Sequence, residues 1–244
     1  MSVLNSDEVG TVPVGTEAAG RPVPTVTDLL EAAMLRLDTR PVLLCQGGII
    51  LATPELVKSG PWIFHAETGH IYEWKQVRAD RVEDRMLEPS GLLLYRISEL
   101  RNEDVVFFER QDDVIGDIAD LRKRLLYFRT ELCSAGLEQV RNHLSSRNSG
   151  GQSTLQHQLV KGMIADVLTV LYMAETIQSD EFVLEQSDIS EARTSTWVHQ
   201  ELDEAFRQLQ RLGGGFGYLR HAISAYVYAG QMVKNMLLIP KEAF

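Results

Sequence analysis

From Asp117 to the C-terminus, apolar side chains recur at i, i+3, i+4 and i+7, the spacing that lines one face of an α-helix. Four long runs carry this period. The first is "DIADLRKRLLYFRTELCSAGLEQVRNHLSSR", which Gly150 and Gly151 are expected to end. The second is "STLQHQLVKGMIADVLTVLYMAETIQ", the third "ISEARTSTWVHQELDEAFRQLQRL" and the fourth "GYLRHAISAYVYAGQMVKNMLL". Helices this long joined by short links must turn back on their predecessors. The spacing therefore predicts an antiparallel, up-down four-helix bundle over residues 117–244.

The preceding stretch has a different texture. From Pro41 to about Gly116 short apolar runs ("PVLLCQGGIILA", "PWIFHA", "HIYEWKQV", "GLLLYRI", "DVVFFE") alternate with Gly, Pro and charged clusters. Runs of this size, rich in Val, Ile and aromatic residues, favour strands. They predict a small, mostly antiparallel β region. Before it, "TVTDLLEAAMLRLD" offers Thr27 as a helix N-cap, with Leu29, Leu30, Ala33, Met34 and Leu37 on one face. Residues 1–24, rich in Gly, Pro, Thr and Ala, have no apolar period and are expected to form a flexible tail. The predicted class is α+β: a tail (1–24), a short helix plus β region (25–116) and the bundle (117–244).

Charge and composition narrow the partners. Thirty-four acidic side chains against 24 basic ones give a net charge of −10, which opposes binding to a nucleic-acid backbone. No run approaches the ~20 apolar residues of a membrane span. The start, "MSVLNSDEVG", has neither the basic nor the apolar segment of a signal peptide. Cys45 and Cys133 are the only cysteines, so a reduced, cytoplasmic protein without a disulfide framework or cysteine metal site is expected. His65 and His70 stand five apart in a predicted strand and turn, a spacing that fits a surface role better than metal ligation.

Between the third and fourth runs lies "GGGFGYLRHA". A dinucleotide fingerprint would need a strand before it and G-x-G-x-x-G, but the preceding run is helical and the third glycine position holds Arg220. A helix C-cap and tight turn accounts for one or two of these glycines. Such a turn also presents backbone amides at the start of the next helix, which suits an anion.

Several segments, in order, resemble the acyl-CoA dehydrogenase family. "GLEQVRNHLSSRNSGG" is similar to that family's long helix ending in Arg-x-x-Phe-Gly, with Arg147 as the arginine, Gly150 in place of the phenylalanine and Gly151 as the glycine. "HQLVKGMIADV" resembles the following helix through Gln158, Ala165 and Asp166, and the glycine stretch resembles G-G-x-G-(Y/F) through Gly214, Gly215, Gly217 and Tyr218. "YRISELRNEDVVFFERQDDVIGD" is similar to the strand and link that lead into the bundle, so the resemblance covers about residues 90–235. It implies FAD shared between neighbouring subunits. Arg147 would meet the pyrophosphate, Gln158 the adenosine end, and Gly214 with Gly215 would let backbone approach the same cofactor. Where the family carries its catalytic glutamate this chain has His221, a candidate base or a packed helix residue, and the family's later Arg-Asp pair is Ala229-Gly230. A tail and one short helix stand where the family has a helical domain. The resemblance thus implies a flavoprotein acting on the Cα–Cβ bond of an acyl thioester, as a homo-oligomer or with a full-length homologue. A non-catalytic auxiliary subunit and a flavin-free scaffold remain open beside it.

Overall fold

The computed structural model describes residues 22–100, 111–179, 188–218 and 223–237. The tail up to residue 21, the "DVVFFE" run and His221 lie outside the described residues.

Helix α1 (Val26–Ala33) begins at Thr25, not Thr27. Thr25 and Asp28 have capping-box spacing. The Thr25 hydroxyl accepts from the Asp28 amide at 3.2 Å, and the Asp28 carboxylate accepts from the Thr25 amide at 3.0 Å. Ala33 ends the helix, so Leu37 belongs instead to the short strand β1 (Arg36–Leu37).

Strands β2 (Arg40–Gln46), β3 (Ile49–Ala52), β4 (Trp62–His65), β5 (His70–Glu73), β6 (Val77–Val82) and β7 (Leu93–Leu100) form one sheet in the order β5-β4-β2-β3-β7-β6, with β1 paired to β2. Every pairing is antiparallel except β2–β4, which the short helix α2 (Pro54–Lys58) makes possible by carrying the chain across from β3. Alternation along β2 and β4 sorts side chains onto two faces. Leu43, Cys45 and Ile63 turn toward the helices, while Val42, Leu44, Trp62 and Phe64 gather with Ile71 on the other face.

Four helices follow, α3 (Gln111–Ser145), α4 (Gln158–Gln178), α5 (Asp188–Gly213) and α6 (Ile223–Leu237). They run up, down, up and down, as expected. Gln178 near the end of α4 donates to Thr130 in α3 at 3.0 Å, so those two helices are antiparallel. The α3 residues Arg129 and Gly136 face, in that order, His199 and Leu209 of α5 but Gly230 and Tyr226 of α6. Helices α3 and α5 are therefore parallel to each other and antiparallel to α6. Helix α6 packs on the sheet side, and α4 packs on α3 and α5. The inner sheet face, α1 and the bundle share a single apolar core. None of the described helices is long and apolar enough to cross a membrane.

Helix α3 begins at Gln111 rather than Asp117, and it ends at Ser145, before the two glycines. Gly150 (φ 62°) and Gly151 (φ 82°) instead form the turn of a small hairpin, β8 (Asn148–Ser149) with β9 (Gln152–Ser153). Two consecutive positive φ angles are what a two-residue hairpin turn requires.

Within the bundle core Arg129 is completely buried. Its Nε donates to the Gly230 carbonyl at 3.0 Å, Nη1 to His199 Nδ1 at 2.7 Å, and Nη2 to the Asp203 carboxylate, which also accepts from Lys234. Burial, and then the neighbouring cations Arg129 and Lys234, push the His199 imidazole down to about 3. The ring is thus neutral in the fold, with Nδ1 as acceptor.

A histidine whose folded pKa lies below its unfolded value (~6.5) stabilises fully above the unfolded value. That contribution is lost as pH falls toward the folded one, because the unfolded chain binds the proton first. His199→Asn keeps an acceptor for Arg129 but cannot titrate. Denaturant titrations between pH 6.5 and 4 should show the wild type losing up to about 1.4 kcal/mol per pH unit more than His199→Asn; parallel curves would show that His199 titrates normally.

Candidate functional site

An up-down-up-down order brings the C-termini of α3 and α5 and the N-termini of α4 and α6 to the same end of the bundle. Arg147, Gln158, Gly214 and Gly215 all lie there. Arg147 follows the last turn of α3, and its carbonyl accepts from the Thr154 amide at 2.8 Å, which ties it to the β8–β9 hairpin. Its guanidinium is exposed and reaches His143, one helical turn earlier, with Nη1 3.4 Å from His143 Nε2. Burial, and then the Arg147 charge, lower the His143 pKa, leaving a neutral acceptor beside the arginine.

The His143 ring stacks on Phe216, with centroids 4.1 Å apart and planes within 8°. Phe216 belongs to the 3-10 turn Gly214–Tyr218 that joins α5 to α6. Arg147 and the glycine turn, separate in sequence, are thereby connected through one stacked pair. Gln158 opens α4 and is exposed. Its neighbour His157 lies with Nε2 3.3 Å from the Ser149 carbonyl of the hairpin. Sequence motifs alone do not single out His143 or Phe216. The i, i+4 spacing of His143 and Arg147 is a visible signal, but the stack on Phe216 depends on how α3 meets α5.

The glycines divide by function. A Cβ on Gly217 would stand 2.7 Å from the Gln210 backbone oxygen, so there the chain passes too closely for any side chain. Gly214 has φ 51°, which favours glycine, and both Gly214 and Gly215 are exposed, with no atom within 4 Å of where a Cβ would stand. Gly217 serves packing, while Gly214 and Gly215 leave their backbone open. No cluster of His, Cys, Asp and Glu suited to a metal occurs among the described residues. An open groove of about 290 Å³, lined by Ala32, Ala33, Lys123, Arg124, Tyr127 and Gln178, lies near the end of α4, away from Arg147.

No protein-family model matches the chain, and no curated protein matches it in sequence. Solved structures do. An acyl-CoA dehydrogenase from Geobacillus kaustophilus superposes with a TM-score of 0.55 at 10% identity, over 79% of this chain and 59% of its own. Butyryl-CoA dehydrogenase from Megasphaera elsdenii gives 0.52 at 9% identity, over 88% and 61%. A structure described as the electron transferring flavoprotein of Acidaminococcus fermentans gives 0.51 at 13%, over 79% and 58%. The fold is that of an acyl-CoA dehydrogenase. The half-barrel sheet and the four helices correspond to the β and C-terminal helical parts of that fold, and the chain spans about three fifths of the length of these structures.

The division among the glycines is measurable by chemical denaturation. Gly217→Ala, forced against the Gln210 carbonyl, should lower stability by about 1–3 kcal/mol. Gly215→Ala should stay within about 0.5 kcal/mol. Equal effects would mean that the turn does not hold the two glycines differently.

Proposed function

We propose that the chain is an acyl-CoA dehydrogenase-type flavoprotein that acts on the Cα–Cβ bond of an acyl thioester. The observation supporting this is the convergence of Arg147, Gln158, Gly214 and Gly215 at one end of a bundle with the acyl-CoA dehydrogenase fold. The residues present fit a dinucleotide. An exposed guanidinium offers a planar fork to a pyrophosphate, open backbone at Gly214 and Gly215 admits a close approach, and the exposed Gln158 amide is free to hydrogen-bond an adenosine. FAD, when bound, supplies the hydride acceptor. Arg147 offsets the phosphate charge, and the neutral His143 keeps the guanidinium oriented without competing as a cation. His221, in the position of the family's glutamate, is the candidate base for the α-proton, since an imidazole of pKa ~6.5 accepts protons at neutral pH. In this reading the cofactor is shared with a neighbouring subunit.

The presence of His221 where a carboxylate is expected favours a second reading, an auxiliary subunit that lends Arg147 and Gln158 to the FAD of a full-length homologue. Flavin appearing only on co-expression with such a homologue would select it.

Flavin released on denaturing the purified protein measures occupancy. Arg147→Ala should weaken FAD binding about tenfold to a hundredfold, the equivalent of about 1.5–3 kcal/mol for a charge-assisted hydrogen bond. Unchanged flavin content removes Arg147 from the site. Where turnover of an acyl thioester is detected, His221→Ala should lower kcat by about a hundredfold or more, and an unchanged kcat rules out His221 as the base.

A further inference from the structure

His143 and Arg147 have the i, i+4 spacing that sets two side chains on one face of a helix. Arg147 Nη1 lies 3.4 Å from His143 Nε2, longer than an ordinary N–H hydrogen bond. The imidazole is not free to swing that edge away, because its face is stacked on Phe216 with centroids 4.1 Å apart. Arg147 is exposed and His143 partly so, and both reach the same solvent.

The surroundings are cationic. Along α3, Arg141 stands two residues before His143 and bonds Glu138 at 3.0 Å. The turn Gly214–Tyr218, which packs on the ring, carries no charge, and neither does the hairpin after Arg147. The end of α5 brings Arg207 and Arg211, both paired with Glu204, and the start of α4 brings His157 and Lys161. Cations therefore outnumber carboxylates among the described residues of this end, on a chain whose net charge is −10. Such an end selects anions.

We propose that His143 is a second phosphate-binding side chain, which takes up a proton when a pyrophosphate diester binds beside Arg147. The inference rests on the reading of this end as a dinucleotide site. In the free protein, burial and the Arg147 charge hold the ring's pKa below its ordinary value, so the ring is neutral at pH 7. A pyrophosphate diester is doubly negative throughout the range in which histidine titrates. Its charge favours the protonated ring. The proton comes from solvent, and no bond of the ligand changes. Protonation gives up a long hydrogen bond from Arg147 and gains a charge-assisted one to phosphate, the stronger of the two. The pKa of the bound state thus lies above that of the free state. Affinity is constant above the bound value, rises as pH falls between the two, and levels off below the free value.

Fluorescence titration of the full chain with FAD between pH 8 and 5 tests the proposal, with far-UV circular dichroism to verify the fold at each pH. The Kd should fall about tenfold across that range, as one linked proton allows. His143→Phe keeps a ring on Phe216 but cannot titrate, and its Kd should not change with pH. His157→Asn should keep the wild-type slope. Proton NMR of the His143 ring gives a measurement that needs no flavin: Arg147→Ala should raise the pKa of His143, because the neighbouring cation is gone. An unchanged pKa overturns the proposal. So does FAD bound equally at every pH, a slope that survives His143→Phe, or a slope lost in His157→Asn, and each of these leaves the proposed function intact. No FAD binding at any pH overturns both.

Discussion

Arg129 sets the alignment on which the rest of the bundle depends. Its fork reaches the Gly230 carbonyl on α6 and both His199 and Asp203 on α5, from full burial on α3. Burying an ion pair in place of apolar packing often contributes little net stability, but a buried guanidinium left without its partners is costly. Helices that slid by one turn would lose these bonds and leave the charge unpaired. The interaction therefore selects one register among α3, α5 and α6 more than it adds stability. Gly230 allows it: a Cβ there would run into the Phe206 ring at 2.6 Å, so α5 and α6 approach closely beside the arginine.

That register reaches the candidate site. Ser145, the last residue of α3, lies sixteen residues beyond Arg129, about 24 Å along the helix, and Arg147 follows it two residues later. Once Arg129 is aligned with His199 and Asp203, the end of α3 arrives beside the end of α5, and His143 can stack on Phe216. The cationic fork and the open glycine backbone are brought together by a contact in the middle of the bundle. Neither segment encodes that meeting by itself.

The two sides of the bundle have different surroundings. Helix α6 packs against the sheet, and hydrogen bonds tie it to the segments beside it, from Tyr228 to Asp84 in the loop after β6 at 2.8 Å and from Tyr226 to the Pro24 carbonyl ahead of α1 at 3.0 Å. Helix α4 has the α3–α5 pair on one side and an apolar, charge-balanced strip elsewhere.

Periodicity determined much of this architecture. A 3.6-residue repeat over more than a hundred residues admits little besides helices, and short links admit little besides reversal, so the up-down bundle was legible in the sequence. So was the largely antiparallel sheet, and the glycine stretch as an inter-helix turn. Boundaries were less legible: the capping box moved the start of α1 to Thr25, and Gly150-Gly151 turned a hairpin rather than capping a helix. Pairing of side chains distant in the chain was not legible at all. The positions of Arg147, Gln158, Gly214 and Gly215 at one end followed from helix order, but His143 on Phe216, Arg129 between α5 and α6, and the separate purposes of neighbouring glycines came only from tertiary structure. The physical reason is one of range. Helical repeats and turn chemistry act between residues a few positions apart, whereas these contacts depend on the register between helices, which packing sets only when the whole bundle has closed.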